Sequence, residues 1–331
     1  MNCKNFENIS ENIDVNVGHS DNIHEQAALL DTWDQEYSQL TRGVFDGSVK
    51  SVGNTSLRLF VEDMNRAVFQ KGSVGGHRIG FGIPVRTNGK CNLCGDVAKD
   101  NDLLVFSGNS GFEFLSPDNF RFYGFEVLAL DSHDQKLNDM IQALRERLSH
   151  HNRVIELNDG HSSELISFFS SIFGVLEHGV TLSKNMPRTD ALNRQVIGTV
   201  LDCLEDHGGA TTEFTIAADN YWRIVRGIRN LVIENPDCPL SVAELAMELG
   251  TSRRTIQNAC RKVLGMSPVI FLRALRLSEV RRVMSHVGSV TEAATQWGFW
   301  HFSYFARDYK YMFGELPSAT LDSARKRRSY T

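Results

Sequence analysis

Two near-copies of one segment decide the fold: Ser241-Val-Ala-Glu-Leu-Ala-Met-Glu-Leu-Gly250 and, 48 residues later, Ser289-Val-Thr-Glu-Ala-Ala-Thr-Gln-Trp-Gly298. Each copy opens with Ser-x-x-Glu, the spacing of a capping box that satisfies the free amides of a first helical turn. Apolar residues follow at helical intervals, and a glycine then permits a left-handed end. The sequence therefore predicts two short helices, each stopped by a glycine turn.

A second helix is predicted after each glycine turn. Its inward positions are Ile256, Ala259, Cys260 and Val263 in the first copy and Phe305, Tyr309 and Phe313 in the second, with Phe302 left unassigned. Its outward positions are Arg253, Arg254, Gln257, Asn258 and Arg261 in the first copy and Ser303, Tyr304, Arg307 and Lys310 in the second. Since Arg pairs with guanine and Gln or Asn with adenine in the major groove, both pairs resemble helix-turn-helix units. The alternative is a helical bundle whose polar face is merely solvated.

One continuous helix of about 16 residues is predicted between the two copies, beginning at Pro268. At 1.5 Å per residue it spans roughly 24 Å. A rod of that length would hold the two reading helices about one DNA turn (~34 Å) apart. One chain would then address two successive major-groove segments of double-stranded DNA.

The net charge of −5 conceals a division between the two parts of the chain. Residues 219–331 hold 17 Lys and Arg against 10 Asp and Glu, whereas residues 1–218 hold 18 basic and 30 acidic residues. A basic part beside an acidic part is typical of a chain in which one part meets a polyanion.

The C-terminal third resembles the AraC/XylS family of transcription regulators. The resemblance lies in Gly298-Phe-Trp-His-Phe-Ser-Tyr-Phe-Ala-Arg-Asp-Tyr-Lys310, in the following Gly314 and Pro317, and in Arg276-Leu277. It implies base contacts from Arg254, Gln257, Asn258, Ser303, Tyr304 and Arg307, with Arg253 and His301 nearer the backbone. Two positions depart from the family pattern: His301 stands where a small polar cap is usual, and Phe302 replaces a usually polar residue.

A narrower resemblance is to the ethanolamine-operon regulators. It rests on Ser252-Arg-Arg-Thr-Ile-Gln-Asn258 and Gln296-Trp-Gly-Phe-Trp-His301, with fainter likeness at Phe81-Gly-Ile-Pro84 and Phe112-Glu-Phe-Leu-Ser-Pro117. This resemblance implies an effector that is a small amine or amino alcohol.

The N-terminal part is predicted to be an α+β sensor domain. Short β-like runs at residues 56–61, 78–85, 103–106, 111–115 and 121–130 favour a small sandwich or barrel, and the family resemblance implies a cupin-like barrel. Amphipathic helices follow at residues 133–148, 162–176 and 191–204, whose apolar stripes serve either the core or pairing of two chains.

The predicted division of the chain has five parts. They are a disordered arm (1–25), an effector-sensing and dimerisation domain (26–205), a linker (206–218), an all-α DNA-binding domain with two helix-turn-helix units joined by a linker helix (219–321), and a basic tail (322–331). The tail either adds phosphate contacts or is a solvated end. The N-terminus lacks an apolar leader and no run is long enough to span a membrane, so a cytoplasmic protein is expected.

No catalytic, cofactor or metal site is predicted. Metal-dependent cupins need a His-x-His cluster with a nearby Glu, but His77 is the only histidine in the strand region. Cys91 and Cys94 have Cys-x-x-Cys spacing but lie among turn formers and lack a second pair, so ordinary thiols are expected.

Three carboxylates are candidates for holding a cationic effector. Glu126 lies in an otherwise apolar run, while Glu62 and Glu113 lie near strand ends. A carboxylate or an aromatic face would balance the charge of an ammonium group. The alternative is that all three simply face solvent.

These observations predict a sequence-specific transcription regulator that is controlled by a small molecule. An activator is expected rather than a repressor. Expected partners are double-stranded DNA, the effector, RNA polymerase and a second copy of the chain. Two other classes stay open: a small-molecule enzyme that carries a DNA-binding module, and a structural DNA binder without sequence preference.

Overall fold

The structure, a computed structural model, describes most of the chain. The described residues are 14–53, 57–75, 78–107, 111–128, 135–148, 153–177, 189–206 and 216–328. Among these residues, no helix is both long and apolar enough to cross a lipid bilayer.

Two antiparallel sheets form the N-terminal domain. Their strands are β1 (Asp14–Ser20), β2 (Trp33–Gln39), β3 (Gly47–Gly53), β4 (Leu57–Met64), β5 (Val68–Val74), β6 (Arg78–Arg86), β7 (Cys91–Leu93), β8 (Asp96–Ala98), β9 (Leu103–Ser107), β10 (Phe112–Ser116), β11 (Phe120–Leu128) and β12 (Arg153–Ile155). One sheet has the order β1-β3-β4-β11-β6-β9-β12 and the other β2-β5-β10-β7-β8.

Alternation along each strand assigns its side chains to two separate cores. On β4, Phe60 belongs to the aromatic core between the sheets, whereas Leu59 and Val61 belong to the core under the helices. Trp33 packs edge-on against Phe60, with ring centroids 6.0 Å apart. The interior of the sandwich is therefore filled largely by aromatic rings.

Three helices cover the outer face of the larger sheet. They are α2 (Gln135–Leu148), α3 (Asp159–Glu177) and α4 (Thr189–Asp206), while a short α1 (Ile23–Ala28) lies between β1 and β2. The ring of Phe169 on α3 stacks on Tyr123 of β11 at 5.2 Å. The apolar stripe of α3 therefore serves the core, one of the two uses predicted for it.

Seven helices and one π-helical turn make up the C-terminal domain. They are α5 (Ile216–Glu234), α6 (Val242–Glu248), α7 (Arg253–Ala259), the π turn (Cys260–Leu264), α8 (Pro268–Val283), α9 (Val290–Gln296), α10 (Phe302–Phe313) and α11 (Pro317–Arg328). The helix α8 matches the predicted connecting rod and is buried on most of its faces, with Phe271, Leu275 and Val280 in the domain core.

The two domains share one core. Trp222 of α5 stacks on Phe69 of β5, with ring centroids 5.8 Å apart and planes within 10° of parallel. Beside them, Arg229 pairs with Glu36 of β2 at 3.3 Å. Because Trp222, Phe69 and Arg229 are buried, the N-terminal domain and the helical domain are packed rather than merely tethered.

The end of β2 also bonds directly to two helices of the C-terminal domain. The Ser278 hydroxyl on α8 donates to the Gln39 carbonyl oxygen at 3.2 Å. The Gln39 side-chain amide donates to the Met312 carbonyl oxygen near the end of α10 at 3.2 Å, and the Gly43 amide donates to the same oxygen at 2.8 Å. The end of one strand of the N-terminal domain thus contacts both the connecting helix α8 and the helix α10.

Several sequence predictions need correction. The predicted disordered arm is wrong for residues 14–25, since β1 pairs along all seven of its residues with β3 and α1 begins at Ile23. The predicted basic tail is not separate, since α11 runs to Arg328. The strands β2, β3 and β5 were not predicted, because buried polar residues such as Ser38, Ser51 and Gln70 interrupt the apolar alternation. Residues 1–13, most of the predicted linker and His77 lie outside the described residues.

Candidate nucleic-acid interface

The first helix pair is built as the sequence pattern predicts. The Ser241 hydroxyl accepts from the Glu244 amide at 3.3 Å, and the Glu244 carboxylate accepts from the Ser241 amide at 2.7 Å. Hydrogen bonds to the Glu244 carboxylate from the Ser241 hydroxyl and from the Ser241 amide lower the pKa of Glu244. Both halves of the capping box are thus present at the start of α6.

The second helix pair differs from the first at its cap. The Ser289 hydroxyl accepts from the Glu292 amide at 3.1 Å, as predicted. The Glu292 carboxylate, however, accepts from the Gly288 amide at 2.9 Å rather than from Ser289. The reciprocal bond thus lies one residue further upstream, and the backbone of Ser289 is more extended, with φ −150° against −73° at Ser241.

The two glycine turns have the same hydrogen bonds. In the first, Gly250 has φ +58° and the Thr251 amide donates to the Ala246 carbonyl at 2.9 Å. In the second, Gly298 has φ +75° and the Phe299 amide donates to the Ala294 carbonyl, also at 2.9 Å. The sequence repeat is therefore a repeat of backbone geometry at an offset of 48 residues.

The outer helices α7 and α10 are divided into a buried face and a solvent face. Ile256, Ala259 and Cys260 are buried on the first, and Phe305, Tyr309 and Phe313 on the second. The candidate contact residues lie on the solvent side: Arg253, Arg254, Gln257, Arg261, His301, Ser303, Tyr304, Arg307 and Lys310 are exposed, and Asn258 is half-buried. The sequence pattern predicted nine of these as outward positions, and the family resemblance added His301 at the cap.

The Arg307 guanidinium is held in place by its neighbours. Its central carbon lies 5.0 Å from the centroid of the Tyr304 ring, within the range of a cation–π contact. Its Nε lies 3.8 Å from the Asp308 carboxylate, which also pairs with Arg273 of α8. The side chain of Arg307 is nevertheless 70% exposed, so its donors remain available.

Two exposed aromatic residues at the start of α10 were not predicted as site residues. Trp300 is 60% exposed and Phe302 is 43% exposed. Phe302 therefore faces outward, which resolves the position that the sequence pattern left unassigned. His301 is the N-terminal residue that flanks α10, and its side chain makes no capping hydrogen bond. The sequence did contain a signal for this exposed site, because Phe302 stands directly before the outward polar residues of α10.

A surface groove adjoins the first outer helix. It has a volume of about 530 Å³ and is lined by residues from the start of α6, the outer face of α7 and the start of α8, including Arg253, Gln257 and Arg261. Three of the candidate contact residues therefore border one concave surface. Double-stranded DNA is contacted by such combinations of basic side chains and helix N-termini.

Glu62 is a buried carboxylate inside the N-terminal sandwich. It accepts from the Gln26 amide at 2.9 Å and from the Tyr37 hydroxyl at 3.2 Å. Burial raises the pKa of Glu62 to about 7. Within the described part of the chain, no basic side chain forms an ion pair with it.

The other two candidate carboxylates have different surroundings. Glu126 is also buried, but it accepts from Thr32 and Trp33 and lies 3.3 Å from Arg78 and 3.5 Å from Arg58. Glu113 faces the domain interface, 4.0 Å from Arg226 of α5, and burial raises its pKa. The structure thus does not bring the three carboxylates into one site, and none of them simply faces solvent.

The Cys91-x-x-Cys94 segment forms a strand and turn. Cys91 is buried in β7, where burial raises the pKa of its thiol, and Cys94 sits at φ +53° in the turn that follows. The Cys94 sulfur accepts from the Glu113 amide at 3.4 Å. Across the described residues, no group of three or more His, Cys, Asp or Glu side chains is placed to hold a metal ion.

Comparisons with known proteins bear on the C-terminal domain. Residues 245–323 match the family described as "Helix-turn-helix domain". The chain is 30% identical over 177 residues to the XylDLEGF operon transcriptional activator of Pseudomonas putida, covering 50% of this chain and 52% of that protein. It is 28% identical over 162 residues to the probable thc operon regulatory protein of Rhodococcus erythropolis, covering 44% and 47%. The chain thus spans about half the length of the curated relatives that it matches.

Solved structures give weaker matches. A probable AraC family transcriptional regulator from Rhodopseudomonas palustris CGA009 is 34% identical with a TM-score of 0.29, covering 31% of this chain and 97% of that one. The AraC-like transcriptional activator CuxR is 12% identical with a TM-score of 0.43, covering 79% and 94%. At these TM-scores the structural likeness carries no argument, and the assignment rests on the sequence matches.

The C-terminal domain is a DNA-binding domain of the helix-turn-helix class. Curated relatives that match this part of the chain are described as an operon transcriptional activator and a probable operon regulatory protein.

Proposed function

We propose that this protein is a sequence-specific transcription activator of the AraC/XylS family, controlled by a small molecule that binds the N-terminal domain. One observation carries the proposal: both outer helices keep a polar, cationic face in solvent while their other face is buried. Each helix pair then acts as a helix-turn-helix unit, and the two units enter successive major-groove segments. The name of the Pseudomonas putida relative supports the role of activator.

Binding to duplexes at several salt concentrations tests the sequence-specific part of this proposal. Full-length protein is used to select duplexes from a randomised pool, and the selected site is then competed against a scrambled one. Because nonspecific binding is mainly electrostatic, raising the salt should remove binding to the scrambled duplex first. A preferred site that survives at salt concentrations where the scrambled duplex is lost supports the proposal. Equal loss from both duplexes would instead indicate a structural DNA binder.

The proposed effector is a small amine or amino alcohol that meets Glu62. This carboxylate is buried and lacks a basic partner in the described part of the chain, so a bound ammonium group would supply the missing counter-charge. The aromatic rings around it would cover the apolar part of such a ligand. By contrast, Glu126 already has arginine partners within the protein, Arg58 and Arg78. Glu113 lies at the domain interface. The sandwich would then act as the cupin-like sensor of the ethanolamine-operon regulators.

Calorimetric titration with ethanolamine and related small amines tests the effector assignment. The Glu62→Gln protein should lose amine binding, because the amide carries no charge. Glu126→Gln is the matched control, since it removes a charge of equal burial that already has two arginine partners. If Glu62→Gln binds amines unchanged while Glu126→Gln does not, Glu126 is the effector residue instead.

Strand β2 offers a route from the effector to the DNA-binding domain. Tyr37 bonds to Glu62 inside the sandwich, while Glu36 and Gln39 on the same strand bond to α5, α8 and α10. A shift of β2 on effector binding would therefore move the helix that sets the distance between the two reading helices. Pairing with a second copy and contact with RNA polymerase complete the proposed mechanism.

A further inference from the structure

An exposed aromatic pair precedes and begins the second reading helix, and the polar contacts described above do not use it. We call Trp300 and Phe302 the aromatic tip. Their side chains are 60% and 43% exposed, whereas Phe305 and Tyr309 of α10 are buried. The rings of Tyr304 and Tyr311 on the same helix are also exposed, but an arginine side chain lies over each of them. Leaving the apolar surface of the tip in water is unfavourable unless a partner covers it.

The position of the aromatic tip identifies the partner that covers it. The first residues of a recognition helix are those that reach base edges in the major groove, and Phe302 is the first residue of α10. Exposed Ser303 and Arg307 follow on the same helix, and Lys310 lies one turn further on. The tip is thus continuous with a cationic surface suited to a polyanion.

The major groove offers a single apolar group, the C5-methyl of thymine. Apolar wedges that unstack bases act from the minor groove, where a recognition helix does not lie. The first reading helix has no such tip, since exposed Arg253 and Arg254 occupy its start. We infer that the second reading helix selects thymine through methyl contacts with Trp300 and Phe302, so that the half-site read by α10 contains thymines that the other half-site does not need. This inference rests on the proposed function.

Replacing thymine with deoxyuridine tests the inference, because it removes the methyl and leaves every hydrogen-bonding group. The selected duplex from the salt experiment is used with full-length protein, and the half-sites are assigned from the base pair at which Arg254→Ala or Arg307→Ala relaxes the preference. Each deoxyuridine in the half read by α10 should weaken binding about four-fold, the effect of one buried methyl-sized group. The same replacement in the other half should change the affinity little.

Variants of the tip complete the test. In Phe302→Ser or Trp300→Ser the difference between thymine and deoxyuridine should shrink toward one-fold. Met247→Ser is the matched control, since Met247 is 76% exposed but lies on α6 rather than on a reading helix, and it should keep the full difference. Because all three side chains are exposed, the substitutions should leave the fold intact, which circular dichroism checks.

The outcomes separate this inference from the proposal beneath it. A preferred duplex whose α10 half lacks thymine, or in which deoxyuridine binds as tightly as thymine, overturns the methyl contact while sequence-specific binding stands. A thymine preference that survives in both tip variants overturns the assignment to Trp300 and Phe302. If no preferred duplex emerges from the selection, the proposed function and this inference both fall.

Discussion

At the scale of single residues, the base contacts proposed for α10 involve a pair of neighbouring side chains, Tyr304 and Arg307. The sequence shows both as outward positions one turn apart, but only the structure shows the guanidinium lying over the ring. An arginine held in this way loses less side-chain freedom when it pairs with guanine. We therefore expect Tyr304 to position Arg307 for a base contact.

Substitution of this pair should give coupled effects on DNA binding. We expect Arg307→Ala to cost about 1–3 kcal/mol on the preferred duplex and to relax choice at one base pair. Tyr304→Ala should weaken that same base preference, whereas Tyr304→Phe should retain it because the ring face remains. Fluorescence anisotropy in a double-mutant cycle measures the coupling. If the two losses simply add, the ring does not position the arginine.

Glu62 should make the stability of the protein depend on pH. Its pKa is raised by burial from 4.5 to about 7, so the folded state favours the protonated acid. The stabilisation is therefore complete below about pH 4.5 and is lost as the pH rises through about 7, with up to about 1.4 kcal/mol per pH unit in between. Urea unfolding at several pH values should show a downward slope in the free energy of unfolding for the wild type. Glu62→Gln should flatten that slope, and the exposed Glu156→Gln should not.

At the scale of elements, the two glycine turns look alike in sequence but differ in their neighbours. Nothing lies within 4 Å of the position that a Cβ would take at Gly250. At Gly298, a Cβ would stand 2.7 Å from the ring of Pro239 and 3.1 Å from the Arg276 guanidinium. The second turn is thus packed against the loop before α6, and the first is open to solvent.

This difference predicts unequal costs for one substitution. Gly250→Ala should destabilise the protein by about 1 kcal/mol, the cost of placing an L-residue in the left-handed region. Gly298→Ala should cost that amount and a further steric term, because the proline ring must move. Chemical denaturation of both variants checks the order. Equal losses would show that the Pro239 contact gives way freely.

At the scale of the whole molecule, the N-terminal domain and the C-terminal domain share buried surface through Phe69 and Trp222. The sequence suggested two domains joined by a linker, and α4 and α5 do end and begin on either side of residues 207–215. The contacts between the two domains in the shared core were not predicted from any local sequence pattern. The shared core means that the two domains should stabilise each other and unfold together.

A pair of matched core substitutions tests this coupling. Phe69 and Phe112 are both 1% exposed, but Phe69 lies at the domain interface and Phe112 inside the sandwich. Calorimetry of the wild type should show one cooperative transition. Each Phe→Ala change should cost about 3–5 kcal/mol. Only Phe69→Ala should split the transition in two, and a split with Phe112→Ala alone would contradict the shared core.

The sequence by itself determined the features that depend on local chemistry. Capping boxes, glycine turns and the spacing of apolar residues involve neighbours within one or two turns, so the helix pairs and their outward residues were predicted correctly. Strands that contain alternating apolar residues, such as β4 and β11, were found for the same reason. Local reasoning did not predict that the Glu292 carboxylate would accept from the Gly288 amide instead of the Ser289 amide.

Only the tertiary structure decided the features that depend on distant residues. The strands β2 and β5 form because each pairs with a partner far along the chain, and the surroundings of Glu62, Glu113 and Glu126 follow from which strands meet. The exposure of Phe302 and the packing of Trp222 on Phe69 likewise depend on how whole elements are placed. A sequence pattern indicates which face of a helix or strand is apolar, whereas the tertiary structure determines which element packs against that face.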